Sequence, residues 1–114
     1  MALTIWHNPR CSKSRETLAL LTARGLDPVV RNYLQDPPTA AEIGAALKAL
    51  GLPAHDLLRK GEPAFRELGL SPDMAEADLI AAMAANPVLI ERPVVFKDGR
   101  GAVGRPPEAV LAIL

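Results

Sequence analysis

LTIWHNPRCSKSRETLALLTARGLDPVVRNYL, residues 3–34, carries the signals that decide the fold. Leu3 to Trp6 is a short, mostly apolar run ended by the Asn8-Pro9 turn signal, the pattern of a strand. From about Ser12 to Arg24 a helix is expected, with Leu18, Ala19 and Leu21 on one face and Gly25 as its stop. Val29 to Leu34 then reads as a second strand, closed by Asp36-Pro37-Pro38. Strand, helix, strand with joints this short predicts two parallel strands and a right-handed crossover.

The rest of the chain extends that unit. Thr39 and Glu42 stand three apart, a capping box ahead of Ile43, Leu47 and Leu50 at helical spacing. Asp56 to Arg59 and Glu62 to Leu68 suggest short helical turns, and Ala75 to Ala85 an alanine-rich helix that Asn86-Pro87 terminates. Val94-Val95-Phe96, Asp98-Gly99 and Ala102-Val103 spell a hairpin, after which Pro106 opens a last helix to Leu114. The predicted fold is α/β in the thioredoxin arrangement: a four-stranded mixed sheet flanked by helices. An all-helical insert separates the β-α-β unit from the C-terminal hairpin. At 114 residues the chain, 1–114, is expected to be one domain.

Composition narrows the function classes. The 49% hydrophobic and 23% charged content suits a buried core, and 13 basic side chains cancel 13 acidic ones. Nothing global therefore attracts nucleic acid or an anionic membrane, and any anion site must be a local concentration of positive charge. The apolar start is too short for a secretory signal, and Leu79 to Ala85, the longest apolar run, falls far short of a bilayer span. A cytoplasmic location is expected. The single cysteine excludes an internal disulfide, and no Cys/His cluster has zinc-ligand spacing. If Cys11 does redox chemistry, its resolving thiol comes from another molecule.

Cys11 falls where the first strand hands over to the first helix. The opening turn of a helix offers unpaired N–H groups and a partial positive charge, both of which favour thiolate over thiol. Arg10 and Lys13 flank the cysteine and His7 precedes it by four residues, surroundings that lower a thiol pKa and make a usable nucleophile. His7-Asn8-Pro9-Arg10-Cys11-Ser12-Lys13-Ser14-Arg15 is too polar to be an ordinary core segment. Cys11-Ser12-Lys13-Ser14 is a C-x-x-C redox pattern with serine in the last place. Ser14 cannot resolve a disulfide; its hydroxyl is expected either to donate to the thiolate or to satisfy the helix terminus.

The segment His7 to Leu18 resembles the active-site segment of the glutaredoxin-linked bacterial arsenate reductases. The likeness continues through Tyr33-Leu34, Pro37-Pro38, Leu57 to Lys60, Leu68-Gly69-Leu70, Asn86-Pro87, Arg92-Pro93 and Gly104-Arg105-Pro106. It departs at Ser12 and Lys13, where the best-known members have Gly and Thr. The resemblance implies Cys11 as catalytic cysteine, His7 and Ser14 as its assistants, and Arg59, Arg92 and Arg105 as oxyanion-binding arginines. It implies that Cys11 attacks arsenate, that glutathione attacks the adduct, that glutaredoxin reduces the mixed disulfide and that arsenite leaves. Arsenate, glutathione and glutaredoxin are thus the expected partners, with glutathione a co-substrate and no cofactor bound. Guanidinium forks suit such an anion, because they bind paired oxygens with charge-assisted hydrogen bonds. Thioredoxin-like folds also place a cis-proline opposite the active cysteine, and Arg92-Pro93 occupies that place.

Two other readings fit the residues. One is a glutathione-linked thiol oxidoreductase with a different substrate, since phosphate matches arsenate in shape and charge. The other is a partner-binding module like the Spx transcription regulators. Those typically carry Cys-x-x-Cys, and Ser14 in the fourth position stands against it.

Overall fold

In the computed structural model, which describes residues 3–114, β1 (Leu3–His7) lies between two neighbours. It pairs in parallel with β2 (Val29–Asn32), Thr4 opposite Val29 and His7 opposite Asn32, across α1 (Ser12–Ala23). Its other edge pairs antiparallel with β3 (Val94–Lys97), which turns into β4 (Arg100–Val103). The sheet order is β2-β1-β3-β4, the four-stranded mixed sheet the sequence predicts. The β3–β4 turn is made by Asp98 and Gly99, both at positive φ (51° and 79°). That is the type I′ geometry matching the twist of a two-residue hairpin, and an Asp-Gly pair adopts it at low cost.

The chain folds as two compact units. The first comprises residues 3–36 and Arg92–Leu114, and so holds the whole sheet. Alternation along the strands sends Leu3, Ile5 and Val95 to one face, where they meet Leu21 of α1 and Val110 and Ile113 near the C-terminus. The last helix, expected from Pro106 to Leu114, is a 3₁₀ helix over Pro107–Ile113. Its three-residue repeat eclipses Val110 and Ile113, so both reach the same core. The buried stripe of α1 is Ser14, Thr17 and Leu21; Ala19, expected on that face, is exposed. Two of the three are polar because the first turns of α1 border the polar loop that precedes them.

The second unit, Pro37–Glu91, is the expected helical insert. It contains α2 (Ala40–Leu50), α3 (Ala54–Leu57), α4 (Pro63–Glu67), α5 (Glu76–Ala85) and a 3₁₀ turn at Pro87–Leu89. The capping box is present: Thr39 Oγ1 accepts from the Glu42 N–H at 3.1 Å, and Glu42 Oε1 accepts from the Thr39 N–H at 2.9 Å. One antiparallel bridge joins Leu58, just after α3, to Ile90 near the end of the unit. Among the described residues, no helix is long and apolar enough to cross a membrane.

Candidate active site

The joint between β1 and α1 is a tight turn with little freedom. Asn8 is only 6% exposed, and its carbonyl accepts from the Cys11 N–H at 3.0 Å. Its Oδ1 accepts from the Arg10 N–H at 3.0 Å, an Asx turn with Pro9 inside it. Arg15 ties the same loop from the helix, its Nη1 donating to the Pro9 carbonyl at 2.8 Å. Cys11 leaves the turn extended (φ −95°, ψ 124°) as the N-cap of α1, and its carbonyl accepts the first helical bond from Arg15 N–H at 3.0 Å. This places the sulfur at the open amides of the first helical turn.

Several groups act on that sulfur. Burial pushes the Cys11 thiol up, the largest single influence, for the side chain is 9% exposed. A hydrogen bond from Arg92, the Ser14 amide, the Arg92 charge and the Lys13 amide together outweigh it, so the thiol lies below its ordinary range. Arg105 Nη2 also donates to Sγ, at 3.6 Å, while its Nε donates to the Arg92 carbonyl at 2.7 Å. Burial disfavours the charge on Arg92 as well. Contacts with Cys11 and with fully buried Tyr33 reverse this and hold the guanidinium above its ordinary value. A thiolate between two arginines at a helix amino terminus is a nucleophile prepared to meet an anion.

Gly104 sets the distance between these parts. Its N–H donates to the Pro93 carbonyl at 2.9 Å, and it sits against Thr17 of α1 and the Pro93 ring. A Cβ there would lie 2.5 Å from Thr17 Oγ1 and 2.8 Å from Pro93 Cγ, so only glycine allows this approach. The Arg92–Pro93 peptide is cis, as expected; Arg105–Pro106, one residue beyond Gly104, is cis too.

The expected positive surroundings need correction. Arg10 and Lys13 are exposed, and the Lys13 ammonium pairs with Glu16 at 3.6 Å. Lys13 reaches the sulfur through its main-chain amide, and the charge comes from Arg92. The Ser14 hydroxyl is likewise engaged elsewhere: it lies 2.6 Å from His7 Nδ1 and accepts from the Asn8 N–H at 3.0 Å. One proton, from Ser14 Oγ or from His7 Nδ1 according to the imidazole tautomer, lies in the Ser14–His7 bond. Burial and the nearby Arg15 charge both depress the His7 pKa. His7 is thus held toward its neutral form and is engaged with Ser14.

His7, Ser14, Cys11, Arg92 and Arg105 all belong to the sheet-containing unit, whereas Arg59 belongs to the helical one. Within it, the antiparallel Leu58–Ile90 bridge pairs Arg59 with Leu89 and Leu57 with Glu91. Arg59 Nη1 donates to Glu91 at 2.9 Å and Nε to Glu62 at 3.3 Å. Among the described residues, no group of His, Cys, Asp or Glu could hold a metal ion. Asn8, Arg15 and Thr17 lie in the segment that carries the resemblance, and Tyr33 and Gly104 in its further matches, but no role at the site was expected of any of them. Polar Ser14 and Thr17 at i and i+3, on a helix otherwise read by its leucines, were the available signal.

The comparisons with known proteins converge. The profile described as "ArsC family" matches residues 6–113. An uncharacterised protein of Escherichia coli K12, YfgD, is 49% identical, the match covering 96% of this chain and 94% of that one. The arsenate reductase of Haemophilus influenzae is 40% identical with full coverage of both chains. Among solved structures, an arsenate reductase from Vibrio cholerae superimposes with a TM-score of 0.97 at 46% identity, covering 100% of this chain and 98% of that one.

Proposed function

The chain belongs to the ArsC family, and from that premise we propose that it reduces arsenate to arsenite in the cytoplasm with Cys11 as nucleophile. The observation that carries the reading is the convergence of Arg92 and Arg105 on one sulfur at the start of α1. Relatives named arsenate reductases at similar length support the choice of substrate.

The Cys11 thiolate attacks arsenic, a sulfur–arsenic bond forms, and one arsenate oxygen leaves as water after protonation. Arg92 and Arg105 neutralise the remaining oxygens, each fork matching a pair of them. Arg59 serves as the third anion-binding arginine that the family resemblance implies. The thiol of glutathione then attacks Cys11 Sγ. The sulfur–arsenic bond breaks with its electron pair staying on arsenic, which falls from the +5 to the +3 state and departs as arsenite. Two thiols have lost the two electrons, leaving a Cys11–glutathione disulfide for glutaredoxin to reduce. Phosphate fits the same forks but is not reduced by a thiol, so chemistry discriminates where binding does not.

The test is a coupled assay with arsenate, glutathione and glutaredoxin, following NADPH oxidation through glutathione reductase. Arsenate-dependent oxidation that disappears in Cys11→Ser is the expected result. Silence with arsenate across a range of glutaredoxin concentrations would remove arsenate as the substrate.

A further inference from the structure

We infer that Asn8 is a positioning residue for the Cys11 thiolate, and that Ser14 and His7 act by holding Asn8 rather than by touching the sulfur. This rests on Cys11 being the nucleophile, as proposed above, though not on the identity of its substrate.

The amides of Lys13 and Ser14 stabilise the thiolate only while Cys11 stays extended at the N-cap. That conformation is fixed upstream. The Cys11 N–H is bound to the Asn8 carbonyl, and the Asn8 side chain closes the same turn onto the Arg10 N–H. The Asn8 N–H is bound in turn to Ser14 Oγ. Asn8 therefore uses its amide, its carbonyl and its side chain in one joint, and it does so almost buried, where each lost bond is costly. Ser14 stands on the first turn of α1, so its bond to Asn8 ties the entry loop to the helix whose amides face the sulfur. His7 completes the arrangement at the end of β1. Its Nδ1 lies 2.6 Å from Ser14 Oγ and holds the hydroxyl in place while Oγ accepts from the Asn8 N–H. Ser14, expected either to donate to the thiolate or to satisfy the helix terminus, thus fixes the strand-to-helix joint.

The decisive measurement is the pH profile of Cys11 alkylation by iodoacetamide in the full-length protein, which needs neither arsenate nor glutathione. Asn8→Ala should raise the midpoint of that profile by roughly 0.5–1 pH unit, the worth of one hydrogen bond, and Ser14→Ala should raise it similarly. Asn8→Ser should recover part of the loss, since a hydroxyl can close the same turn more weakly. An unmoved midpoint in Asn8→Ala would overturn the inference whatever Ser14→Ala does, because the side chain that closes the turn would then not position the sulfur. So would a lowered melting temperature with an unmoved midpoint in both, the mark of a purely structural role. If Asn8→Ala fails to fold by circular dichroism, Asn8→Ser and Ser14→Ala decide by the same criteria. A failed arsenate assay leaves this result standing, so the two readings fail separately.

Discussion

Gly104→Ala adds one methyl group where the structure has no room for it. The new Cβ would sit 2.5 Å from Thr17 Oγ1, 2.8 Å from Pro93 Cγ and 3.2 Å from Thr17 Cγ2. The first two fall short of ordinary contact by about 0.9 and 0.6 Å, well up the repulsive wall. Neither neighbour yields easily. Thr17 is fully buried, β-branched in a helix, and its Oγ1 is bound to the Lys13 carbonyl at 2.8 Å, while Pro93 is a closed ring. The strain must pass into the backbone, where overpacking typically costs about 1–3 kcal/mol. For a chain of this size that lowers the melting temperature by roughly 5–15 °C. The next residue is Arg105, so a shift of the chain here moves its guanidinium off the sulfur, and misplacement by about 1 Å can cost on the order of a hundredfold in rate. Thermal unfolding and the Cys11 alkylation profile would both be measured on wild type, Gly104→Ala, Thr17→Ala and the double variant. The double variant should be more stable than the summed single effects, because Thr17→Ala removes two of the three close contacts. If Gly104→Ala unfolds within about 0.5 kcal/mol of wild type and alkylates as wild type does, the close approach does not hold the site.

Arg92→Ala should raise the alkylation midpoint of Cys11 more than Arg105→Ala, since Arg92 contributes both a hydrogen bond and charge while Arg105 stands at 3.6 Å. The reverse order in the pH profiles would reassign the principal partner. Because folding lowers the thiol pKa, the thiolate's stabilisation is complete above the unfolded value, near about 8.5, and is lost as pH falls through the folded value. Urea unfolding should therefore show Cys11→Ser trailing wild type by a wider margin at alkaline pH than at acid pH, and a pH-independent margin would contradict this. Phosphate, sulfate and arsenate should each raise the melting temperature. Replacing Arg59, Arg92 or Arg105 by Ala should weaken anion binding roughly 10- to 150-fold in titrations, with Lys restoring only part. Alanine variants that bind phosphate as wild type does would make those arginines ordinary surface charges.

The parts legible in the sequence were those that near neighbours determine. Short runs such as Leu3–Trp6 and Val94–Phe96, with the turn pairs Asn8-Pro9 and Asp98-Gly99, fixed the strands. The Thr39–Glu42 box fixed the start of α2. The position of Cys11 between a strand and a helix followed from the same signals, and with it the amides that face the sulfur. Element ends were less legible. β2 stops at Asn32, short of the expected Leu34, because the Gln35 and Asp36 amides turn back to the Asn32 carbonyl.

What surrounds the sulfur was decided elsewhere. Arg105 lies 94 residues from the cysteine it reaches, and no local spacing encodes that. Arg10 and Lys13 stand near Cys11 in sequence, yet their side chains are exposed, and the charge acting on the sulfur comes from Arg92 while Lys13 contributes its main-chain amide. The Ser14 hydroxyl, too, could donate to the sulfur or satisfy the helix terminus on sequence grounds. The end of β1 brings His7 Nδ1 within 2.6 Å of it, and Oγ accepts from the Asn8 N–H. Propensity and pattern act over a few residues, so the sequence alone determined the frame and its nucleophile. The direction of each hydrogen bond and the source of the positive charge depend on which distant strand ends are packed together, and only the tertiary structure settles that.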